Sequence, residues 1–265
     1  MKKLLIVGAG GFGRELYVWA SQHPDCDRAW TLAGFLDDNA DALAAFGSFA
    51  PVHTLAGHKP SADTVYLAGL GMPPLKEKLV APLVAAGAEF LTFVHPQAHL
   101  GDRVKLGKGV VVFPGAILSV DIEIGDFAMV NLNCTIGHDA TLGPWTSLSA
   151  QCDITGHVRV ADRVFMGSRA SIIPGKSVGS RATVGAGAVK FTYDRTTGAL
   201  RYDAATPTLG TDRVIALTLQ RSDGDKPGPI VAHLLAPNLA RWTTRLEMAK
   251  PTRPTQHLVA MAVQS

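Results

Sequence analysis

The sequence predicts a small α/β domain followed by a β-solenoid and an atypical C-terminal extension. Fifteen consecutive six-residue units run from Leu100 to Val189 without an insertion, and each begins with Val, Ile, Leu or Met. Before them, strand-like and helical stretches alternate, and after them the six-residue period is lost. We therefore expect three parts: residues 1–94, residues 95–190 and residues 191–265, the last of unknown role.

The first part predicts a βαβ arrangement with a parallel sheet. Its strand-like runs are LLIVGA, WTLAGFLDD, DTVYLAGLG and AEFLTFV, and its helical runs are RELYVWASQ and PLKEKLVAPLVAAG. The opening MKKLLIVGAG imitates a signal peptide, but its apolar run is short and no small-residue cleavage site follows. We therefore expect a buried first strand.

A glycine-rich motif lies between the first strand and the first helix. The sequence GAGGFG at positions 8–13 fits G-x-G-x-x-G, in which glycines permit a tight turn and the helix amino terminus receives a phosphate. The alternative is a tight turn without a ligand. The candidate binding residues are Gly8, Gly10, Gly11, Phe12 and Gly13, together with Asp37 at the end of the second strand. About 94 residues supply too little sheet for a dinucleotide, so we expect a Rossmann-like domain that binds a mononucleotide or nucleotide sugar.

The six-residue period predicts a solenoid, because it matches neither a helix nor a simple strand. Three units close a triangular coil of 18 residues, so fifteen units give about five coils. We expect the first and fifth places to point inward, and the glycines at the second place to serve corners with unusual backbone angles. Cys134 and Cys152 are 18 residues apart at fifth places, which indicates stacked core residues in a reducing cytoplasm rather than a disulfide or metal pair.

Composition excludes several classes of function. The net charge is +3 and only 18% of residues are charged, which gives no basic surface for nucleic acid. No apolar stretch is long enough for a membrane span. We expect a cytoplasmic protein with a small-molecule substrate.

These features together resemble a known family. GAGGFGRE, GFLDDN, the His95-Pro96 joint and the hexads are similar to those of bacterial hexapeptide-repeat sugar acyltransferases, which include sialic acid O-acetyltransferases and N-acetyltransferases of UDP- and GDP-amino sugars. The resemblance covers residues 1–190 and implies a left-handed parallel β-helix, although parallel crossovers are otherwise right-handed. It also implies a homotrimer that binds acetyl-CoA between subunits and a nucleotide-sugar acceptor in the first domain.

Two histidines lie within the hexads, and neutral imidazole suits a general base near pH 7. His138 occupies the third place, which points outward, and the resemblance implies that it is the base and that Asp139 orients it. Asp139 and His157 are 18 residues apart and should stack. Either Asp139 pairs with His157 while backbone groups orient His138, or Asp139 orients His138 and His157 lines the coenzyme groove; we favour the second. One β-helix family binds zinc through three histidines, so with two in the repeat we expect no metal.

The resemblance also implies the remaining contacts. Gly156 matches the family's backbone donor to the thioester oxygen. Ser147 stands where the family commonly has a second histidine, and a serine can hydrogen-bond an acceptor but cannot share a proton near neutral pH. Candidate coenzyme contacts, each with the alternative of a corner, core or solvated residue, are His157, Gly167, Ala170, Lys176 and Ala186.

We therefore expect an acetyl-CoA-dependent acetyltransferase acting on the amine of a nucleotide-linked amino sugar. The alternatives are O-transfer to a sialic acid or another sugar hydroxyl, transfer to a non-sugar acceptor, and a non-catalytic trimeric scaffold that binds nucleotide sugars. In the extension, RVIALTLQR predicts a strand, GDKPGPI a loop, and Leu239, Trp242 and Leu246 one helical face. The extension is expected to cap the solenoid and contact the trimer partner, or to reshape the acceptor pocket.

Overall fold

The computed structural model describes residues 1–47 and 49–186, and beyond them six strand segments. The first part is a five-stranded parallel sheet with strand order β3-β2-β1-β4-β5 and two helices. Its elements are β1 (Lys2–Val7), α1 (Gly11–Ser21), β2 (Trp30–Leu36), β3 (Val52–His53), β4 (Thr64–Ala68), α2 (Pro73–Ala85) and β5 (Glu89–Phe90). This confirms the predicted βαβ arrangement. The two-residue strand β3 was missed because it is too short to carry a periodic pattern.

Sixteen two-residue strands then form three parallel sheets, in which each strand pairs with the strand 18 residues away. Sheet I contains β6 (Phe93–Val94), β9 (Val111–Val112), β12 (Met129–Val130), β15 (Ser147–Leu148), β18 (Phe165–Met166) and β21 (Thr183–Val184). Sheet II contains β7 (His99–Leu100), β10 (Ile117–Leu118), β13 (Thr135–Ile136), β16 (Asp153–Ile154) and β19 (Ser171–Ile172). Sheet III contains β8 (Lys105–Leu106), β11 (Glu123–Ile124), β14 (Thr141–Leu142), β17 (Arg159–Val160) and β20 (Ser177–Val178).

One further hexad precedes the fifteen predicted units, and the first solenoid strand, β6, lies just before the predicted boundary at residue 95. Val94 occupies a first place and Ala98 a fifth place, and both pack against the solenoid core. The unit VHPQAH was missed because histidine replaces the usual small residue at its second place. The core itself follows the prediction, since first-place and fifth-place residues such as Ile136 and Cys134 are buried.

The predicted role of the second-place glycines is wrong. The left-handed backbone angles lie at the fourth place instead, where Asp139 has φ 58° and Trp145 has φ 63°. A second-place glycine is needed because the next coil passes too close for a side chain. A Cβ added to Gly137 would lie 2.6 Å from the backbone nitrogen of Gly156. A Cβ added to Gly101 would lie 2.1 Å from the carbonyl oxygen of Ser119.

Fourth-place residues from successive coils stack into three columns, one along each corner of the prism. The docking column, between sheets III and I, contains Gly109, Phe127, Trp145, Arg163 and Arg181. The candidate-site column, between sheets II and III, contains Arg103, Asp121, Asp139, His157 and Gly175. The third column, between sheets I and II, contains Gly115, Asn133, Gln151 and Arg169.

The first domain packs on sheet I and on the docking column. The rings of Phe127 and Trp145 stack with centroids 4.4 Å apart, and Phe90 meets Phe127 edge-on at 5.3 Å. Just after β9 of that sheet, the rings of Phe12 and Phe113 have centroids 5.1 Å apart. These aromatic side chains extend the buried clusters of the first domain onto the outer face of the solenoid, whose interior core is a separate cluster.

Helix α2 adds two polar contacts to this interface. The Nζ of Lys76, which is 1% exposed, donates to the Oγ of Ser147 at 2.9 Å. Burial lowers the pKa of Lys76 to about 7. Glu77 accepts two hydrogen bonds of 2.6 Å from Arg163, and these bonds lower the pKa of Glu77. No sequence pattern points to Lys76, Glu77 or Arg163.

The described strands of the extension are β22 (Ala188–Tyr193), β23 (Ala199–Ala205), β24 (Val214–Asp223), β25 (Lys226–Leu235), β26 (Leu246–Glu247) and β27 (His257–Gln264). Strand β24 confirms the predicted strand RVIALTLQR. The predicted loop GDKPGPI is wrong for residues 226–230, which lie in β25 and pair with β24, and residues 224–225 lie outside the described residues. Of the predicted helical face, Leu246 lies in β26, and Leu239 and Trp242 lie outside the described residues. In the described part of the chain, no helix has the length and apolar character to cross a membrane.

Substitution of Lys76 by methionine is expected to flatten the pH dependence of stability between pH 7 and pH 9. The folded pKa is about 7 against an ordinary value of 10.5, so between these values the unfolded chain binds more protons. The stability of the parent protein therefore rises with pH in this window, by up to about 1.4 kcal/mol per pH unit, and the variant lacks this contribution. Urea unfolding at pH 7, 8 and 9 under reducing conditions measures both slopes.

Lys78 is the matched control, because it is exposed on the same helix. Lys78→Met should keep the slope of the parent protein. Equal slopes for Lys76→Met and the parent protein would show that Lys76 does not change its protonation on folding.

Candidate active site

His138 and Asp139 form the corner between β13 and β14, in the candidate-site column. Asp139 has a left-handed backbone, and the Nδ1–H of His138 donates to its Oδ2 at 2.8 Å. A carboxylate only accepts hydrogen bonds, so the proton of the neutral ring lies on Nδ1. The Nε2 of His138 therefore carries a lone pair.

His157 lies one coil further along the same column. Its backbone N–H donates to the carbonyl of His138 at 2.8 Å, and its Nδ1 lies 3.8 Å from the Oδ2 of Asp139. The two imidazole rings are perpendicular, with centroids 4.9 Å apart. All three side chains are about half exposed and point away from the core. The distances favour the arrangement in which Asp139 orients His138, with His157 beside the same carboxylate.

Gly156 lies directly beneath the ring of His138. A Cβ added to Gly156 would be 2.6 Å from the Nε2 of His138, which is closer than real Cβ atoms approach any heavy atom. Among the described residues, nothing accepts a hydrogen bond from the Gly156 N–H. The lone pair of Nε2 therefore lies next to a residue whose backbone N–H is free. A base and a backbone donor of this kind can accept a proton and stabilise an oxyanion.

The predicted coenzyme contacts divide by exposure. Lys176 and Ala186 are exposed, whereas Gly167 and Ala170 are buried. The N–H of Ala170 donates to Gly167, and its carbonyl accepts from Asp153. The structure therefore places Ala170 in the solenoid core, where a coenzyme does not reach its side chain. Gly167 is a close-approach glycine, since an added Cβ would lie 2.6 Å from the nitrogen of Ala186.

Ser147 does not lie near His138. It is completely buried in sheet I, beneath helix α2, and its Oγ accepts the hydrogen bond from Lys76. This burial conflicts with the predicted contact between Ser147 and an acceptor. The hexad phase alone could not reveal it, because a second domain covers an outward-facing place.

The glycine motif forms the expected turn at the amino end of α1. Gly8 has φ 95°, and a Cβ on Gly13 would lie 1.9 Å from the Gly8 carbonyl oxygen. The Oδ2 of Asp37 accepts the N–H of Ala9 at 2.8 Å, so this carboxylate braces the turn.

The other three motif residues have different surroundings. An added Cβ at Gly10 would meet nothing within 4 Å, and one at Gly11 would meet only the end of Arg14. Phe12 instead packs against Phe113. The open part of the turn is therefore Gly10 and Gly11. Arg14, which sequence analysis missed, places its guanidinium carbon 3.4 Å from the ring centroid of Phe46.

Known proteins share both the repeat and the architecture. Residues 157–189 match the family model described as the hexapeptide repeat of succinyl-transferase. The GDP-perosamine N-acetyltransferase of Escherichia coli O157:H7 is 26% identical over 173 residues, which are 64% of this chain and 77% of that protein. The bifunctional protein GlmU of Acinetobacter baumannii is 30% identical over 46% of this chain, and the match spans only 31% of that protein.

A solved structure matches both parts of the chain. PerB from Caulobacter crescentus, in complex with CoA and GDP-perosamine, superposes with a TM-score of 0.61 at 27% identity and covers 72% of this chain and 89% of PerB. These similarities confirm the predicted resemblance to hexapeptide-repeat sugar acetyltransferases and the predicted left-handed β-helix.

Substitution of Gly156 by alanine is expected to displace the ring of His138 and to break its hydrogen bond with Asp139. The added methyl group would occupy the space of Nε2, and the exposed ring can move away more easily than the backbone. Long-range proton–nitrogen NMR of the imidazole should show the Nδ1–H tautomer in the parent protein and both tautomers in the variant. Gly71→Ala is the control, since an added Cβ meets nothing there. An unchanged tautomer in Gly156→Ala would contradict the close contact.

Proposed function

We propose that the protein transfers the acetyl group of acetyl-CoA to the amine of a nucleotide-linked amino sugar, with His138 as the general base. The observation that carries this proposal is the arrangement of His138, held by Asp139 through Nδ1 with its Nε2 above Gly156. The acyltransferase class is supported by two relatives, one named as a GDP-perosamine N-acetyltransferase and one as a perosamine N-acetyltransferase of Caulobacter crescentus. Both names refer to perosamine N-acetylation, which favours an amine over a sugar hydroxyl as the acceptor.

In the proposed reaction, the acceptor amine attacks the thioester carbonyl carbon. The Nε2 of His138 takes the amine proton, and the negative Asp139 stabilises the imidazolium that forms. The N–H of Gly156 donates to the oxyanion of the tetrahedral intermediate. When the carbon–sulfur bond breaks, the proton on His138 passes to the sulfur, which leaves as the free thiol of CoA.

For the acceptor, we propose that its nucleotide part binds at the open turn formed by Gly10 and Gly11. The amino end of α1 has no side-chain cap and no acidic residue in its first turn, so its free N–H groups suit a phosphate.

For the coenzyme, we propose contacts with Lys176 and Ala186, because both are exposed near the end of the solenoid. The buried free thiols of Cys134 and Cys152 support a reducing, cytoplasmic location.

We also propose a homotrimer in which each site combines two subunits. Within one chain, the first domain packs on sheet I and the docking column, whereas His138 lies at the corner between sheets II and III. The acceptor domain and the base therefore belong to different corners of the prism. A neighbouring subunit would supply the base for each bound acceptor.

Substitution of His138 by alanine is expected to lower the rate of thiol release about 100-fold to 10,000-fold, because general-base catalysis contributes factors of that size. The assay follows free thiol from acetyl-CoA with a panel of UDP-, GDP- and dTDP-amino sugars. His99→Ala is the matched control, since His99 is an exposed histidine at the edge of the same sheet II.

The two parts of this proposal fail separately. If the parent protein releases no thiol above background with any acceptor but still binds nucleotide, the enzymatic function is wrong. If thiol appears and His138→Ala is equally fast, the protein is an acetyltransferase with a different base.

Co-expression of two inactive variants is expected to restore activity if each site combines two subunits. One variant is His138→Ala and the other is Gly10→Asp, which places a favourable N-cap residue on α1 and a negative charge where the phosphate binds. Random assembly gives an intact pair of partners at about a quarter of the interfaces. The measured rate should therefore approach about a quarter of the parent rate. A rate no higher than that of the separate variants would indicate sites within single chains.

A further inference from the structure

We propose that His138, Asp139 and His157 bind a divalent transition metal ion of the zinc class, and that this ion inhibits the protein. The binding site is argued from geometry and donor chemistry alone. The inhibition rests on the proposed function, because it follows from the role of His138 as the base. The ion is an inhibitor here, and acetyl transfer itself needs none.

The three side chains already have nearly the spacing of metal ligands. One donor atom from each lies within 4.8 Å of the others. The Oδ2 of Asp139 is 2.8 Å from the Nδ1 of His138 and 3.8 Å from the Nδ1 of His157. Bonds of about 2.1 Å to a tetrahedral ion place neighbouring ligand atoms about 3.4 Å apart, between these two distances. Movements below about 1 Å would therefore bring both carboxylate pairs to that separation, and the two imidazole donors, within 4.8 Å of each other, would approach by up to about 1.4 Å.

The solenoid sets this spacing. Asp139 and His157 occupy successive fourth places with left-handed backbones, and the N–H of His157 is bonded to the carbonyl of His138. The backbone is thus fixed, and the side chains are half exposed, so an ion can reach them from solvent. A preformed backbone reduces the ordering that binding requires.

The donor set selects the class of ion. Two imidazoles and one carboxylate suit zinc in an open site and leave a fourth position for water. Calcium and magnesium prefer sites formed entirely by oxygen atoms, so they should bind weakly here.

A bound ion would stop His138 from acting as a base, although its side chain remains in place. In the free protein the neutral ring of His138 carries its proton on Nδ1, and the lone pair is on Nε2. When the ion takes Nδ1, the displaced proton moves to Nε2, so the ring keeps one proton and its charge. Nε2 then has no lone pair to accept a proton from the amine, and Asp139 has given its Oδ2 to the ion.

Calorimetric titration of the untagged protein with zinc chloride tests the site, over a concentration range of about 1 µM to 1 mM. We expect one high-affinity ion per chain, and binding at least about 100-fold weaker in His157→Ala, since loss of a group that only supports a ligand already costs 10-fold to 100-fold. His99→Ala should bind like the parent protein, and cobalt should give a tetrahedral absorption spectrum. Equal affinity in His157→Ala and the parent protein, or no binding up to about 1 mM, would overturn the proposal.

Thiol release then tests the inhibition, with each variant compared with its own rate before zinc is added. Zinc should abolish release by the parent protein and EDTA should restore it, whereas His157→Ala should need about 100-fold more zinc. Release that continues at saturating zinc would overturn the inhibition. Zinc binding in a protein that never releases thiol would leave the metal site in place and reject the proposed function.

Discussion

The stacking of equivalent residues 18 positions apart is the constraint on which the rest of this molecule depends. From Arg103 to Arg181, each hexad turns its corner with a fourth-place residue in a left-handed conformation, and the equivalent residue of the next coil stacks on it 18 positions later. Glycines at some second places let the coils approach, because a Cβ added at Gly101, Gly137 or Gly167 would meet the backbone of the next coil. A corner residue therefore lies next to the equivalent residue of the neighbouring coil along the solenoid axis. The chemistry at a corner depends on the side chains of the whole column.

The columns use this geometry in different ways. In the docking column, the rings of Phe127 and Trp145 stack and form a flat apolar surface. Arg163, the next residue of the column, carries a positive charge that pairs with Glu77 of the first domain. In the candidate-site column, the same vertical spacing brings Asp139 and His157 together beside His138. One repeat thus produces both an apolar interface and a polar site, because the side chains at the fourth place differ while the backbone does not.

The sequence is most informative where a repeated position has one environment. The first and fifth places predicted the core, the third place predicted the exposure of His138, and the 18-residue spacing predicted that Asp139 and His157 are neighbours. Prediction failed where the environment depends on something outside the repeat. Ser147 faces outward in phase but is buried by helix α2, and the cause is Lys76, which is 71 residues away in the chain. Ala170 occupies a fifth place and its side chain lies in the core, so any contact with a coenzyme is limited to its backbone.

The contact between Lys76 and Ser147 has a consequence for the position of the first domain. A lysine removed from water is costly unless it loses its charge, and a single hydroxyl partner compensates only part of that cost. An apolar residue would pack here without this cost, so stability alone does not explain a lysine. A hydrogen bond fixes direction and register as well as proximity.

The hydrogen bond between Lys76 and Ser147 and the two-point contact between Glu77 and Arg163 together fix helix α2 against sheet I, whereas aromatic contacts alone allow sliding. Because α1 and the glycine turn belong to the same sheet domain, their orientation relative to the prism is fixed as well. In the proposed trimer, that orientation determines whether a nucleotide sugar held at Gly10 and Gly11 presents its amine to the histidine of the neighbouring subunit.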